Sequence, residues 1–336
     1  MEIITPHYYD SFRCIASACP DSCCHAWAVQ IDDRSAAYYR SLPGPLGDRL
    51  QAHLQEEDGV TILSLAQDGR CPMWRQDGLC QLQCELGEQA LSTVCREFPR
   101  LRHDYGSFME LGLELSCPEA ARLILSSTRH ETITHTVPGG EEAAYDAYAM
   151  DILLRTRREL LSFLDASAYP LGQTLAIMLL YGYSVQNELD GGEKAQLMPD
   201  EALAEALSFA KPGSISTILR FYSGLEILTD RWKARLASPA GSDWSESLRA
   251  LARYGIERYY LQAVSDYDLV SRIKLVIASC LVVKALGGDI VETAQLYSKE
   301  IENDADNIDS ILDGAYASPA LTDQNLLGLL LEVRTC

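Results

Sequence analysis

The sequence predicts a mainly α protein, with a small, irregular, cysteine-rich metal-binding module of minor β content followed by an all-helical domain. Three observations carry that prediction. Nine of the eleven cysteines lie at or before Cys117. The apolar runs of the same region are short, and turn signals at Leu42-Pro-Gly-Pro, Asp68-Gly and Asp77-Gly interrupt them. Beyond it, apolar residues recur with the helical period over long stretches. Domains are therefore expected at 1–130 and 140–336, joined by a linker that Pro138-Gly-Gly closes.

Along the chain, Trp27-Ala-Val-Gln-Ile and Thr61-Ile-Leu-Ser-Leu read as strands or loop anchors. Met109-Glu-Leu-Gly-Leu-Glu-Leu alternates apolar and polar positions, as a half-buried strand does. Ser116 can cap a helix whose first turn holds Pro118 and Glu119. Helices are expected at about 142–164, 170–188, 199–210, 214–236, 244–262, 266–286, 289–302 and 319–333, with breaks at Gly191-Gly, Pro212-Gly, Pro239-Ala-Gly and Gly287-Gly. Ile273, Leu275, Val276, Ile277, Leu281, Val282 and Val283 make one of them apolar almost all round, hence central.

With 336 residues, 47% hydrophobic and 23% charged, the composition is that of a globular protein. No apolar stretch reaches the roughly 18 residues of a membrane span. Met1-Glu-Ile-Ile-Thr-Pro-His carries no basic segment and no long apolar run, so a cytoplasmic location is expected and no membrane contact. The formal charge is −20. Such a field repels phosphate backbones, which argues against nucleic-acid partners. It serves either solubility or the reception of a lysine-bearing substrate.

Thiols of a cytosolic protein stay reduced, so clustered cysteines read as ligands. The first group is Cys14-x4-Cys19-x3-Cys23-Cys24, and the adjacent pair points two ways. Cys71-Pro-x7-Cys80, Cys95-Arg-Glu-Phe-Pro-Arg and Leu115-Ser-Cys117-Pro-Glu follow. Thiolate-rich sites suit zinc or iron–sulfur clusters, and these spacings do not choose between them. Cys84 is ligand or spare thiol, Cys280 reads as core and Cys336 as bystander. His25, beside Cys24, either replaces a thiolate or lies on the surface. Tyr8, Tyr9, Trp27, Tyr38 and Tyr39 fall in the same module, where packing is the expected role of each.

Phe12-Arg-Cys14-Ile-Ala-Ser-Ala-Cys19-Pro-Asp-Ser-Cys23-Cys24-His-Ala-Trp27 resembles the opening of the flagellin lysine-N-methylase family. Cys71-Pro-Met-Trp, Gly78-Leu-Cys80-Gln-Leu, Leu91-Ser-Thr-Val-Cys95-Arg-Glu-Phe-Pro-Arg100 and Leu115-Ser-Cys117-Pro-Glu-Ala-Ala-Arg-Leu123 extend the likeness. Leu251-Ala-Arg-Tyr-Gly-Ile-Glu-Arg-Tyr-Tyr260 resembles the family's later section. The resemblance implies S-adenosylmethionine-dependent methylation of lysine side chains of flagellin, with a cysteine-held iron–sulfur cluster of the 4Fe–4S kind and zinc as its competitor. Carried onto this chain, the ligands are Cys14, Cys19, Cys23, Cys24, Cys71, Cys80, Cys95 and Cys117.

Methylation needs a neutral amine, since an ammonium has no lone pair. No Gly-rich loop after a strand marks a nucleotide-type cofactor site. The C-x3-C-x2-C spacing of radical enzymes is also absent, because Cys24 follows Cys23 at once. Arg96 and Arg100 could donate to cluster sulfurs or to a cofactor carboxylate, or pair with nearby acids. Glu110 could orient an amine, although alternation favours a solvent-facing carboxylate. A rival class is a non-enzymatic metal-binding or redox-sensing protein whose helical domain holds a partner.

Overall fold

The computed structural model describes residues 1–336 except 58, 128–129, 140–143 and 334–336. Among the described residues, two small sheets and five short α-helices, with three 3-10 turns, make up the first part. The chain runs through β1 (Glu2–Pro6), β2 (Val29–Gln30), α1 (Asp33–Ser41), α2 (Gly44–His53), β3 (Leu54–Glu57) and β4 (Val60–Leu63). Then come α3 (Gln81–Leu86), α4 (Thr93–Glu97), β5 (Arg100–Asp104), β6 (Phe108–Leu113), α5 (Pro118–Leu125) and β7 (Thr132–Thr136). One sheet has the order β5-β6-β1-β7, and the other β2-β4-β3. In the first, β1 runs parallel to β6 and antiparallel to β7.

From there the chain is helical: α6 (Ala147–Ala166), α7 (Leu171–Leu189), α8 (Pro199–Phe209), α9 (Ile215–Tyr222), α10 (Asp230–Ala237) and α11 (Glu246–Tyr259). α12 (Val270–Leu286), α13 (Ile290–Tyr297), a π-helical turn at Ser298–Glu302, α14 (Ala305–Ala317) and α15 (Asp323–Leu330) complete it. The mainly α class with minor β structure is what the sequence predicts. No helix among the described residues is long and apolar enough to cross a membrane.

The apolar pattern places α12 at the centre, and fifteen of its seventeen residues are buried. α11 comes close to it because Gly255 has no side chain there; a Cβ would meet Val276 Cγ2 at 2.8 Å. α11 is tied to α6 by Arg249 Nη1 donating to Leu164 O at 2.7 Å, and the Tyr260 hydroxyl just beyond α11 donates to Thr156 Oγ1 at 2.9 Å. The helical core takes in Phe12, Phe108, Leu113 and Leu115 from the first part. A second core gathers Ile31, Tyr39, Leu50, Leu63, Met73 and Leu82 around Cys71.

Several expectations are corrected. The expected linker contains β7, whose five residues are all exposed and pair along β1. The Ser116 hydroxyl does not cap α5 but donates to Glu114 Oε2 at 3.1 Å. The stretch expected at 214–236 divides into α9 and α10, and α14 lies where no helix is expected.

Candidate metal centre and adjoining cavity

Backbone pairing brings the cysteine segments together. Cys71 N donates to Cys24 O at 2.8 Å and Ala26 N to Gly69 O at 3.0 Å, strapping the first cysteine loop onto the second. Trp74 and Cys80 bridge across the turn that follows, and Cys80 begins α3. Cys95 sits in the first turn of α4, where its N–H reaches the Ser92 hydroxyl at 3.4 Å. Cys23 Sγ and Cys24 Sγ are 4.0 Å apart.

Electrostatics show which thiols feel one another. The hydrogen bond to Cys24, then burial, raises the Cys23 thiol well above its ordinary value. The Cys23 bond pulls Cys24 down, but a bond to Cys71, burial, and the charges of Cys71 and Cys80 outweigh it. Burial pushes Cys95 up to about 11, and the charges of Cys23 and Cys80 add to the effect. Burial likewise raises Cys80, with Cys23 and Cys84 adding. A second set joins Cys117, pushed up to about 11 by burial and then by Cys19 and Cys14.

The eight motif cysteines thus fall into Cys23, Cys24, Cys71, Cys80 and Cys95 on one side, and Cys14, Cys19 and Cys117 on the other. Cys19 links the sets, since burial and the charges of Cys14 and Cys23 raise it. Soft sulfur donors gathered from four segments fit a thiophilic metal or cluster in their chemistry. Among the described residues, no three His, Cys, Asp or Glu side chains already stand at metal-holding distances.

The other candidates are placed as follows. Cys84 is exposed on α3. Cys280 is fully buried on α12, with its thiol 3.8 Å from Leu248 O. Cys336 lies outside the described residues. The His25 ring packs edge-on against Trp74 at 6.0 Å. Arg96 pairs with Glu97 at 3.4 Å, and the Arg100 guanidinium lies 5.5 Å from the Phe12 ring centroid. Tyr39 is buried, donating its hydroxyl to Ala90 O at 2.9 Å, whereas Tyr38 is exposed.

Glu110 departs from the solvent-facing expectation. The alternation holds, but α6 and α11 cover that face of the sheet. A cavity of about 390 Å³ opens between them. Its floor is a row across three strands, in which His103 of β5 lies beside Glu110 of β6 and Ile4 of β1. α6 contributes Leu154, Arg157, Arg158, Leu161 and Asp165, and α11 contributes Arg253, Tyr254, Glu257 and Arg258. These positions recur three or four apart, so each set shares one helical face. Tyr8 also lines the cavity.

Arg157 clamps Glu110 through both guanidinium nitrogens, one of them at 2.8 Å, and each side chain is 13% exposed. Arg253 bridges Asp165 and Glu257, reaching Glu257 Oε1 at 3.0 Å. Burial raises the Glu257 carboxyl above the usual range, against the pull of Arg253 and Arg157. Burial first, then Arg258 and Arg157, lowers the His103 imidazole, while Glu110 opposes them. His103 is therefore neutral at pH 7. Its Nε2 is buried with no hydrogen-bond partner among the described residues.

Replacing Arg157 by methionine leaves Glu110 buried and unpaired. The expected cost is about 3–5 kcal/mol of stability. Chemical denaturation checks this, and an unchanged midpoint would show that the pair contributes nothing net.

Sequence reasoning missed His103, Arg157, Asp165, Arg253, Glu257 and Arg258. The pointers were Glu110, which lines the cavity floor, and the Leu251–Tyr260 segment, which supplies one cavity wall.

No protein-family model matches the chain. No solved structure is significantly similar to it. Among curated proteins, the flagellar biosynthetic protein FliU of Salmonella muenchen is 30% identical over 145 residues, covering 37% of this chain and 77% of that protein. A lysine-N-methylase of Salmonella typhimurium is 30% identical over 145 residues, covering 37% of this chain. One of Salmonella choleraesuis is 33% identical over 131 residues, again covering 37%. The chain spans 32% of the length of each lysine-N-methylase.

Proposed function

The chain belongs to the flagellin lysine-N-methylase family, and from that premise we propose that it transfers methyl groups to lysine side chains of flagellin. S-adenosylmethionine is the proposed donor, and the gathered cysteines are the proposed holders of an iron–sulfur cluster, with zinc as competitor. The observation that carries the reading is the cavity. It joins the family-like α11 segment to the strand that carries His103. Its volume lies within the roughly 300–1,000 Å³ of small-molecule sites.

The residues present suit both reactants. Arg158 has no ion-pair partner among the described residues and would take the donor's carboxylate. Leu101, Leu111, Leu154 and Leu161 offer apolar wall for its adenosine. When bound, the donor supplies an electrophilic methyl group on a sulfonium. A lysine entering the same cavity leaves water, and that desolvation lowers its pKa, while Glu110, Asp165 and Glu257 offset the like charge of Arg157 and Arg253. The unpartnered Nε2 of His103, whose residue lines the cavity, would accept the proton that the lysine sheds. The freed lone pair is then held for attack, and positioning supplies much of the acceleration.

The test is methyl transfer onto the host's flagellin, read by mass spectrometry on anaerobically purified protein. No mass increase on any lysine, with donor binding also absent by calorimetry, would leave the non-enzymatic metal-binding reading. A salt series adds a second expectation. The −20 charge attracts a lysine-rich surface, so kcat/KM should fall as ionic strength rises. A flat salt profile would remove charge from substrate capture.

A further inference from the structure

One short stretch of helix touches both halves of the candidate machinery. Asp21 lies in the first cysteine loop, two residues from Cys19 and two from Cys23. Lys299, from the π-helical turn, donates to both Asp21 carboxylate oxygens at 3.0 Å and to Ser22 O at 3.3 Å. Its ammonium also lies 4.9 Å from the Trp27 ring centroid. Gln295, four residues earlier on the same face, donates to Asp21 Oδ2 at 3.0 Å and to Ser116 O at 2.8 Å, next to Cys117. Gln295 and Lys299 are each 3% exposed. Two buried side chains of the helical part thus grip two cysteine segments.

The adjoining face of the turn grips the cavity wall. Glu302 accepts from Tyr254 at 3.0 Å, Tyr259 at 3.0 Å, Arg258 at 3.2 Å and Ser298 at 2.5 Å. Tyr254 and Arg258 line the cavity. π-turns are rare, and they concentrate at functional sites because the widened turn re-aims side chains. Here the widening lets Lys299 and Glu302 face opposite clients. A buried lysine held by three acceptors is costly, and fixing one geometry is a use that can offset the cost.

We infer that Lys299 is a positioning residue. It sets the spacing of Cys19 and Cys23 for their metal, and through Glu302 it makes the Tyr254–Arg258 wall of the cavity respond to whether that metal is held. The inference rests on the proposed cysteine-ligated metal, but not on the methyl-transfer step.

The test uses the full chain, purified anaerobically, with Lys299→Met, Asp21→Asn and Lys299→Arg. Iron, zinc and sulfide per chain are measured, as is the rate of metal loss to a chelator. Lys299→Met and Asp21→Asn should lose metal roughly 10- to 100-fold faster, the usual effect of removing a group that orients ligands. Lys299→Arg, which keeps the charge, should recover part of that.

Amide exchange of the 251–260 peptides gives a second measurement that a merely structural role would not move. In the unmodified chain their exchange should rise when metal is stripped. In Lys299→Met it should start high and no longer respond, while α7 and α12 exchange as before. Unaltered metal loss in Lys299→Met and Asp21→Asn would overturn the inference. So would a 251–260 response to stripping that is absent from the unmodified chain, or intact in Lys299→Met. An unmodified chain that holds neither iron nor zinc would overturn the cysteine-site reading itself, and this inference with it.

Discussion

Replacing His103 by asparagine should lower kcat/KM for lysine methylation by about 100-fold, the usual loss when a positioned proton acceptor is removed. Asparagine keeps the size and polarity of the site but cannot take up a proton. The imidazole pKa is lowered by burial and by Arg258 and Arg157, so the acid limb of its pH profile should lie below its ordinary value. Above that limb His103 is neutral, and the native enzyme should stay active through neutral pH. In the variant, rate should instead climb steadily into the alkaline range as the amine deprotonates unaided. Added imidazole should restore part of the loss in a His103→Ala variant, because the cavity is open to small molecules. Equal rates in native and variant protein, with the same pH profile, would remove His103 from the chemistry.

The second large effect concerns the thiols. Cys23→Ser and Cys95→Ser should each abolish stable metal binding and destabilise the cysteine-rich part, since in such sites metal-binding energy is folding energy. The loss in affinity should exceed the roughly 100-fold typical of groups that only orient ligands. Cys280→Ser should retain metal in full, because that thiol is buried on α12 against Leu248 O and, among the described residues, meets no other cysteine. Metal content per chain decides the matter. Equal loss in all three variants would mean that unfolding, not ligation, governs retention.

The cysteine-rich part was legible where residue type and chemistry coincide. Thiols are rare and their motifs are local, so a cysteine-rich part could be anticipated, but not that Cys23 and Cys24 would face Cys71, Cys80 and Cys95 while Cys14 and Cys19 face Cys117. α12 was legible because its residues are apolar on every side. The cavity was not legible, because His103, Arg157 and Arg253 come from three distant segments and each looks like an ordinary surface residue in its own. Glu110 shows the same limit. Its alternation was right, but only α6 and α11 decide that its face of the sheet is covered. β7 escaped notice because Ile133 is its only large apolar residue and an exposed edge strand need bury nothing. α14 escaped because the acids Asp304, Asp306, Asp309 and Asp313 mask the apolar stripe of Ile308, Ile311 and Leu312.

The placement of β1 between β6 and β7 has a consequence for how the chain is made. Glu2 pairs with both Phe108 and Thr136, so β1 waits for more than a hundred residues of synthesis before either neighbour exists. Pairings so distant in sequence form slowly, because chain entropy is lost before contacts repay it. Cys117, which feels Cys19 and Cys14, also emerges about a hundred residues after them. During synthesis a half-edged nascent segment therefore stands open until β6 is made.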